Sequence, residues 1–322
     1  MSASPTVVLC PGQGAQAVGM GKAWAEASPE ARAVFARADA QLAGRLGAPI
    51  SELCFGGPAE RLNQTDVSQP AIFVTSLACW RALLAARSMG NGELPLACAA
   101  GLSLGEYTAL VVSGAMTFED GLELVTLRGR AMQECADSPE ARAGGGGGMT
   151  ALIGATEEQA EDICAKARGS QVLVCANFNA PGQIVLSGHK EACARAAGEA
   201  EKLGIKFSHL VVAGAFHSPL MARAAEQLAA GLTRCTIREP RCPVVSNVTA
   251  LPHAAFSGQD FGRSVKQRLM EQLTLPVRWS QSCQWMAANV QGDFIELAPG
   301  RTLSGLMRRI NKETKVTSHD AP

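Results

Sequence analysis

The chain is 322 residues long, 47% hydrophobic and 18% charged, which excludes the polar, highly charged balance of a disordered chain and gives enough material for one large domain or two modest ones. Twenty-nine Lys and Arg residues oppose twenty-nine Asp and Glu residues, so no net field favours nucleic acid or an anionic membrane, and a charged partner must find a local patch. Arg81 and Glu106 interrupt the two most apolar stretches before ~18 residues accumulate, and the opening MSASPTVVLC lacks the cationic and apolar regions of a secretory signal, so a cytoplasmic protein is expected.

In chain order, the β-branched run Thr6 to Cys10 followed by Pro11, Gly12, Gln13 and Gly14 predicts a strand entering a tight loop. Pro29 to Leu46 reads as a helix. A second helix is expected from Ser68, as N-cap, with Phe73, Leu77, Trp80 and Leu84 on one stripe. Leu96 to Gly101 is a short apolar strand and Leu104 to Val112 a helix, an alternation that indicates a mostly parallel sheet. A further helix runs from Glu119 to Cys135. The glycines Gly144 to Gly148 predict a mobile junction and a domain boundary.

Beyond that junction the expected order is strand Met149 to Gly154, helix Glu157 to Arg168, strands Val172 to Asn177 and Gln183 to Ser187, helix Lys190 to Leu203 and strand Phe207 to Val212. This βαββαβ order is the ferredoxin-like unit, with Thr156 and Gln159 as a capping box and Ala180, Pro181 and Gly182 as the central turn. A helix from Pro219, a strand Val244 to Asn247, two helices across residues 260–289, a strand Phe294 to Leu297 and a closing helix return to the earlier style. The fold class is therefore α/β, with a large domain formed by residues 1–143 and 214–322 and a smaller unit, 144–213, inserted into it. Eleven cysteines, none in a CxxC pair, read as small buried hydrophobes rather than zinc ligands or disulfides.

Gly101, Leu102, Ser103, Leu104 and Gly105 spell GxSxG between a strand and a helix, the setting of a nucleophile elbow. Side chains at Gly101 and Gly105 would collide in so tight a turn, and Ser103 at the helix N-terminus would meet N–H groups that favour negative charge. Ser103 is thus a nucleophile or a structural serine. A serine needs a base, and five histidines are available. His189 and His209 lie in the inserted unit, His253 in a proline-flanked loop and His319 in a tail expected to be loose. His217 follows a strand and precedes Ser218 and Pro219, an N-cap and first-turn proline, which puts it on the sheet edge where sites collect; otherwise it is a turn histidine. Arg128 falls among Leu124, Val125, Ala131, Met132 and Cys135 on the apolar face of its helix, while Arg130 falls on the polar side with Glu123, Thr126 and Glu134. A buried arginine needs an anion: either a protein acid or a substrate carboxylate.

Taken together, PGQGAQ, GLSLGEYTAL, LRGRAMQ, NFNAPGQIVLSG, GAFHSPLM, QLTLPVRW and ELAPGRTLSGL, in this order from Pro11 to Leu306, resemble malonyl-CoA:acyl-carrier-protein transacylases. The resemblance implies an α/β-hydrolase-like large domain with an inserted ferredoxin-like subdomain. It also implies transfer of malonyl from malonyl-CoA to the phosphopantetheine thiol of acyl carrier protein, by a ping-pong acyl-serine route that supplies fatty acid or polyketide synthesis. It makes Ser103 the nucleophile, His217 the general base, Arg128 the clamp on the malonyl carboxylate, and the N–H groups of Gln13 and Leu104 the oxyanion hole. The resemblance further implies that a backbone carbonyl around Gln272 orients His217 with no acid completing a triad, and Asn179 lies in a family block without an assigned role. No cofactor or metal is implied, since phosphopantetheine arrives on the substrates. No membrane or nucleic-acid partner is expected, and the chain is expected to be a monomer.

Two positions bear on how far the resemblance carries. Many members have histidine before the nucleophile, where this chain has Leu102, so any assistance from that imidazole is absent. Phe216 before His217 resembles the malonyl-type motif rather than the methylmalonyl one. Arg308, Arg309, Lys312 and Lys315 form a basic cluster that either meets an acidic carrier protein or is a solvated helix end. The rival readings are a serine hydrolase with the same elbow and a non-catalytic module that docks carrier protein. A phosphate loop is disfavoured because the glycine run lacks the following Lys and Ser or Thr.

Overall fold

The computed structural model describes residues 4–87, 95–143 and 145–322. Its strands are β1 (Thr6–Cys10), β2 (Leu96–Gly101), β3 (Gly147–Ile153), β4 (Leu173–Ala180), β5 (Gln183–His189), β6 (Lys206–His209), β7 (Val244–Val245), β8 (Asp293–Leu297) and β9 (Val316–His319). A parallel sheet in the order β7-β2-β1-β8-β9 forms the large unit. All five residues of its central strand β1 are buried, as a β-branched run covered on both faces requires. A second, antiparallel sheet in the order β4-β5-β3-β6 carries helices Glu157–Arg168 and Lys190–Lys202 and encloses its own apolar core around Leu152, Ile163, Leu186 and Ala196. Both residues of the Thr156 and Gln159 capping box make their reciprocal bonds.

The helix Thr65–Arg87 begins three residues before the expected cap, so Ser68 is an internal, fully buried residue. Its start is set from a distance: the Thr65 N–H donates to Gln133 Oε1 at 3.1 Å, a partner that no local pattern reveals. The same helix is long and apolar enough by composition to cross a bilayer, with Arg81 failing to interrupt it, yet 78% of its most apolar window is buried in the protein.

Three further expectations change. Gly147 and Gly148 belong to β3, and a Cβ at Gly147 would stand 2.5 Å from the Ala215 nitrogen, so this part of the glycine run serves close packing. Gly144 lies outside the described residues. The strand expected at Phe207 to Val212 ends at His209; the Leu210 N–H still donates to Met149 O at 2.9 Å, and Leu210, Val211 and Val212 line the cavity beside Ser103. His319 is in β9, paired with Leu297, and its carbonyl accepts from Trp24 Nε1 at 3.2 Å, so the C-terminal segment is tied down. All eleven cysteines are free and buried.

The two sheets are joined where β4 meets the loop before helix Trp279–Asn289. Val277 N–H donates to Ala176 O at 2.8 Å and Phe178 N–H to Val277 O at 2.9 Å. This seam brings Asn177 and Asn179 of the small unit to the cavity that Ser103 and His217 line.

Candidate active site

The turn from β2 into helix Gly105–Val112 is as tight as the two glycines suggest. A Cβ on Gly101 would lie 2.0 Å from the Gly105 carbonyl carbon, and one on Gly105 would lie 2.1 Å from Cys10 O. Ser103 sits at its apex with φ 52°, a left-handed conformation that costs a non-glycine residue about 1–3 kcal/mol. The surroundings over-determine it. Asn247 Oδ1 accepts the Ser103 N–H at 2.6 Å while Asn247 Nδ2 donates to Gly101 O at 2.7 Å, a two-point brace across the turn. Because the nucleophile's own N–H is thus occupied, the backbone donor left for an oxyanion at this turn is the next one, Leu104, at the start of the helix.

His217 also has a positive φ, 55°, just before the Ser218 cap whose hydroxyl accepts the Leu220 N–H. Its Nε2 lies 2.8 Å from Ser103 Oγ and its Nδ1 lies 2.7 Å from the Gln272 carbonyl oxygen. A carbonyl only accepts, so Nδ1 carries the proton and Nε2 presents its lone pair to the hydroxyl. Among the described residues no carboxylate bonds to this imidazole. Burial, reinforced by the Arg128 charge and opposed by the Gln272 carbonyl, pulls its pKa from 6.5 down to about 4. The ring is therefore neutral, the form a general base requires.

Arg128 comes from helix Phe118–Asp137, capped by Thr117, and is 1% exposed. Leu124, Val125, Ala131 and Met132 are buried with it, whereas Arg130 reaches solvent. Thr126, expected on the polar side, is buried because its hydroxyl bonds back to Leu122 O. No acid pairs with Arg128 among the described residues. Its two Nη atoms donate to neutral acceptors: Gln69 Oε1 at 2.7 Å, Ser103 Oγ at 2.9 Å and Gln272 Oε1 at 3.0 Å. Among the described residues its Nε has no hydrogen-bond partner, and the Tyr107 ring lies 5.5 Å from the guanidinium. Burial pulls its pKa down, but an arginine stays charged. The result is a desolvated cation facing the serine hydroxyl, with no carboxylate bonded to it and Glu106 acting on it only from beyond Gln272.

Ser103 and His217 open onto a cavity of about 650 Å³, with Arg128 reaching Ser103 Oγ from behind its wall. Gln13, Leu102, Met132 and Phe216 line it from the large unit; Met149, Asn177, Asn179 and Val185 line it from the small one. Asn179 Oδ1 is buried without a hydrogen-bond partner there. Gln13 is fixed through its side chain, which donates to Thr65 Oγ1 at 3.3 Å. Gln69, Asn247, Glu106 and His253 were not anticipated as site residues, and only polar positions on otherwise buried elements could have flagged them. Arg309 of the basic cluster, exposed at the surface, donates to Gln183 Oε1 at 3.2 Å, while Arg308, Lys312 and Lys315 line a surface cleft with Arg301. Among the described residues no three His, Cys, Asp or Glu side chains converge as a metal site would.

Residues 7–319 match the acyl transferase domain family. The chain is 38% identical over 301 residues to the malonyl CoA-acyl carrier protein transacylase of Salmonella typhimurium strain LT2, an alignment covering 93% of this chain and 91% of that one. It is similar to the crystal structure of malonyl-CoA:acyl carrier protein transacylase from Xanthomonas oryzae pv. oryzae, with a TM-score of 0.89 at 39% identity and coverage of 100% and 96%. It is also similar, with a TM-score of 0.88 at 33% identity over 99% of this chain and 97% of the other, to a malonyl-transacylase solved in complex with its type II polyketide acyl-carrier protein.

Proposed function

The chain belongs to the malonyl CoA-acyl carrier protein transacylases, and from that membership we propose that Ser103, His217 and Arg128 divide the work of malonyl transfer. The enzyme moves a malonyl group from malonyl-CoA to acyl carrier protein, for fatty acid or polyketide synthesis. Ser103 Oγ attacks the thioester carbonyl while His217 Nε2, 2.8 Å away, takes the hydroxyl proton. The oxyanion is received by the N–H groups of Leu104 and Gln13, each donor contributing about 3 kcal/mol at comparable sites. Collapse expels the CoA thiolate, which leaves with the proton from His217. The phosphopantetheine thiol of the carrier protein then attacks the malonyl-serine ester by the same steps reversed.

Arg128 supplies the acyl specificity. It donates to Ser103 Oγ at 2.9 Å, within the span between the two ends of a three-carbon diacid. A malonyl carboxylate gives this cation the directly bonded counter-charge that the protein withholds, in a geometry suited to two parallel hydrogen bonds. Phe216 and Asn179 line the cavity onto which Ser103 opens, as shape and polar contact for the acyl chain. The observation that carries the reading is the fully buried guanidinium with no acid partner, touching the nucleophile. A plain hydrolase of uncharged esters has no use for such a group. Incubation with malonyl-CoA followed by intact-mass and peptide analysis tests the scheme: one malonyl adduct on Ser103, discharged by carrier protein and not by water alone, is expected. Label elsewhere, or release of free malonate without a thiol, overturns it.

A further inference from the structure

Behind the reacting groups lies a buried carboxylate that the transfer chemistry does not use. Glu106 has a side chain 0% exposed, and it is hydrogen-bonded to His253, whose Nε2 lies 2.7 Å from Glu106 Oε1. The second oxygen, Oε2, accepts from Gln272 Nε2 at 2.6 Å and from the Asn247 N–H at 3.1 Å. Both donors are in direct contact with the reacting residues. Gln272 holds His217 through its carbonyl and Arg128 through Oε1, and its Nε2 also donates to Ser103 O at 3.0 Å; Asn247 holds the Ser103 N–H.

We propose that Glu106, held in place by His253, is a positioning residue that fixes which way the Gln272 amide points and thereby sets the aim of Arg128; the inference rests on reading Arg128 as the malonyl clamp. The logic is one of donors and acceptors. Glu106 Oε2 already accepts the Asn247 N–H, which can only donate, so the Gln272 NH2 must face Glu106 and its Oε1 must face the guanidinium. With a side chain at 106 that can itself donate, Ser103 O alone holds the Gln272 NH2 in place, and a turn of the amide sets that NH2 against the Arg128 donors, driving the guanidinium off its position. A half-satisfied buried network of this kind is worse than none. His253, with a side chain 1% exposed, closes the far side and keeps Oε1 from seeking another donor.

The test compares acyl-enzyme formation from malonyl-CoA and acetyl-CoA in wild type, Glu106→Gln, His253→Gln, His253→Leu and Arg128→Ala, with unfolding temperatures alongside. Glu106→Gln is expected to lower the malonyl-over-acetyl preference by about tenfold or more, the scale on which supporting shells act on the groups they orient. His253→Gln, which keeps a donor, is expected to retain the preference, and His253→Leu to lose it. A purely structural carboxylate would instead slow both substrates alike. If Glu106→Gln does not fold, the His253 pair decides, and equal behaviour of the two overturns the proposal. If Arg128→Ala loses the preference while Glu106→Gln keeps it, the positioning role fails and the clamp stands; if Arg128→Ala keeps it, the clamp fails and this proposal with it.

Discussion

Ser103 and His217 face each other across 2.8 Å with both backbones in the left-handed region, at φ 52° and 55°. Two non-glycine residues in that conformation, contributed by segments 114 positions apart, hold the hydroxyl and the imidazole at bonding distance without either side chain reaching out of its turn. The conformational cost is met by what surrounds them: Asn247 on one side and the Gln272 carbonyl on the other.

Removing the serine side chain separates chemistry from strain. Ser103→Ala is expected to give no malonyl-enzyme by intact mass while folding normally. Ser103→Gly should be equally inactive but more stable by about 1 kcal/mol, because glycine carries no penalty at φ 52°. A melting temperature for the glycine variant below that of the alanine variant would show that the turn is not strained.

Arg128→Ala should reduce kcat/KM for malonyl transfer by about 30- to 5,000-fold, the equivalent of about 2–5 kcal/mol, the range for truncating one partner of a buried charge pair. Acetyl transfer, which presents no carboxylate, should fall far less. Equal loss with both acyl-CoAs counts against the clamp.

The depressed pKa of His217 predicts an acid-tolerant enzyme. Below its pKa the imidazole holds a proton and cannot take another, so kcat/KM for acylation should fall as pH drops, with the limb near 4 rather than 6.5. The linkage has the same sign: the unfolded chain binds this proton more readily than the folded one, so stability is lost as pH falls from 6.5 through about 4. A rate profile in rapid-quench acylation that breaks near 6.5 would contradict the buried, neutral imidazole.

Asn247→Leu strips the brace from the elbow and leaves the Ser103 N–H and the Gly101 carbonyl buried without partners. Each orphaned group costs about 1–3 kcal/mol, so chemical denaturation should show a loss of several kcal/mol, with a drop in kcat as the serine loses its fixed direction. Unchanged stability would mean that the backbone re-pairs elsewhere.

What could be read before any coordinates were the elements that present the three reacting side chains. Flanking glycines mark the elbow around Ser103, a Ser218-Pro219 helix start places His217 on a loop, and the 3.6-residue period puts Arg128 among buried neighbours. What could not be read were the contacts made from far along the chain. Gln69 and Gln272 reach Arg128 from 59 and 144 positions away, and no local pattern encodes such meetings. Glu106 registered only as a charge interrupting an apolar stretch, because its partners Asn247, His253 and Gln272 converge only on folding. Leu210 to Val212 continue an apolar run that looks like strand, yet the strand ends at His209 and they line the cavity.

The cavity is divided by origin: the hydroxyl and imidazole that line it, like the guanidinium behind them, belong to the larger unit, while Met149, Asn177, Asn179 and Val185 come from β3, β4 and β5. Grafting residues 147–212 from one homologue into another would consequently exchange the surface an incoming acyl chain or pantetheine arm slides along and leave the reacting trio untouched. Selectivity and turnover are to that extent separable modules, open to independent evolution or redesign.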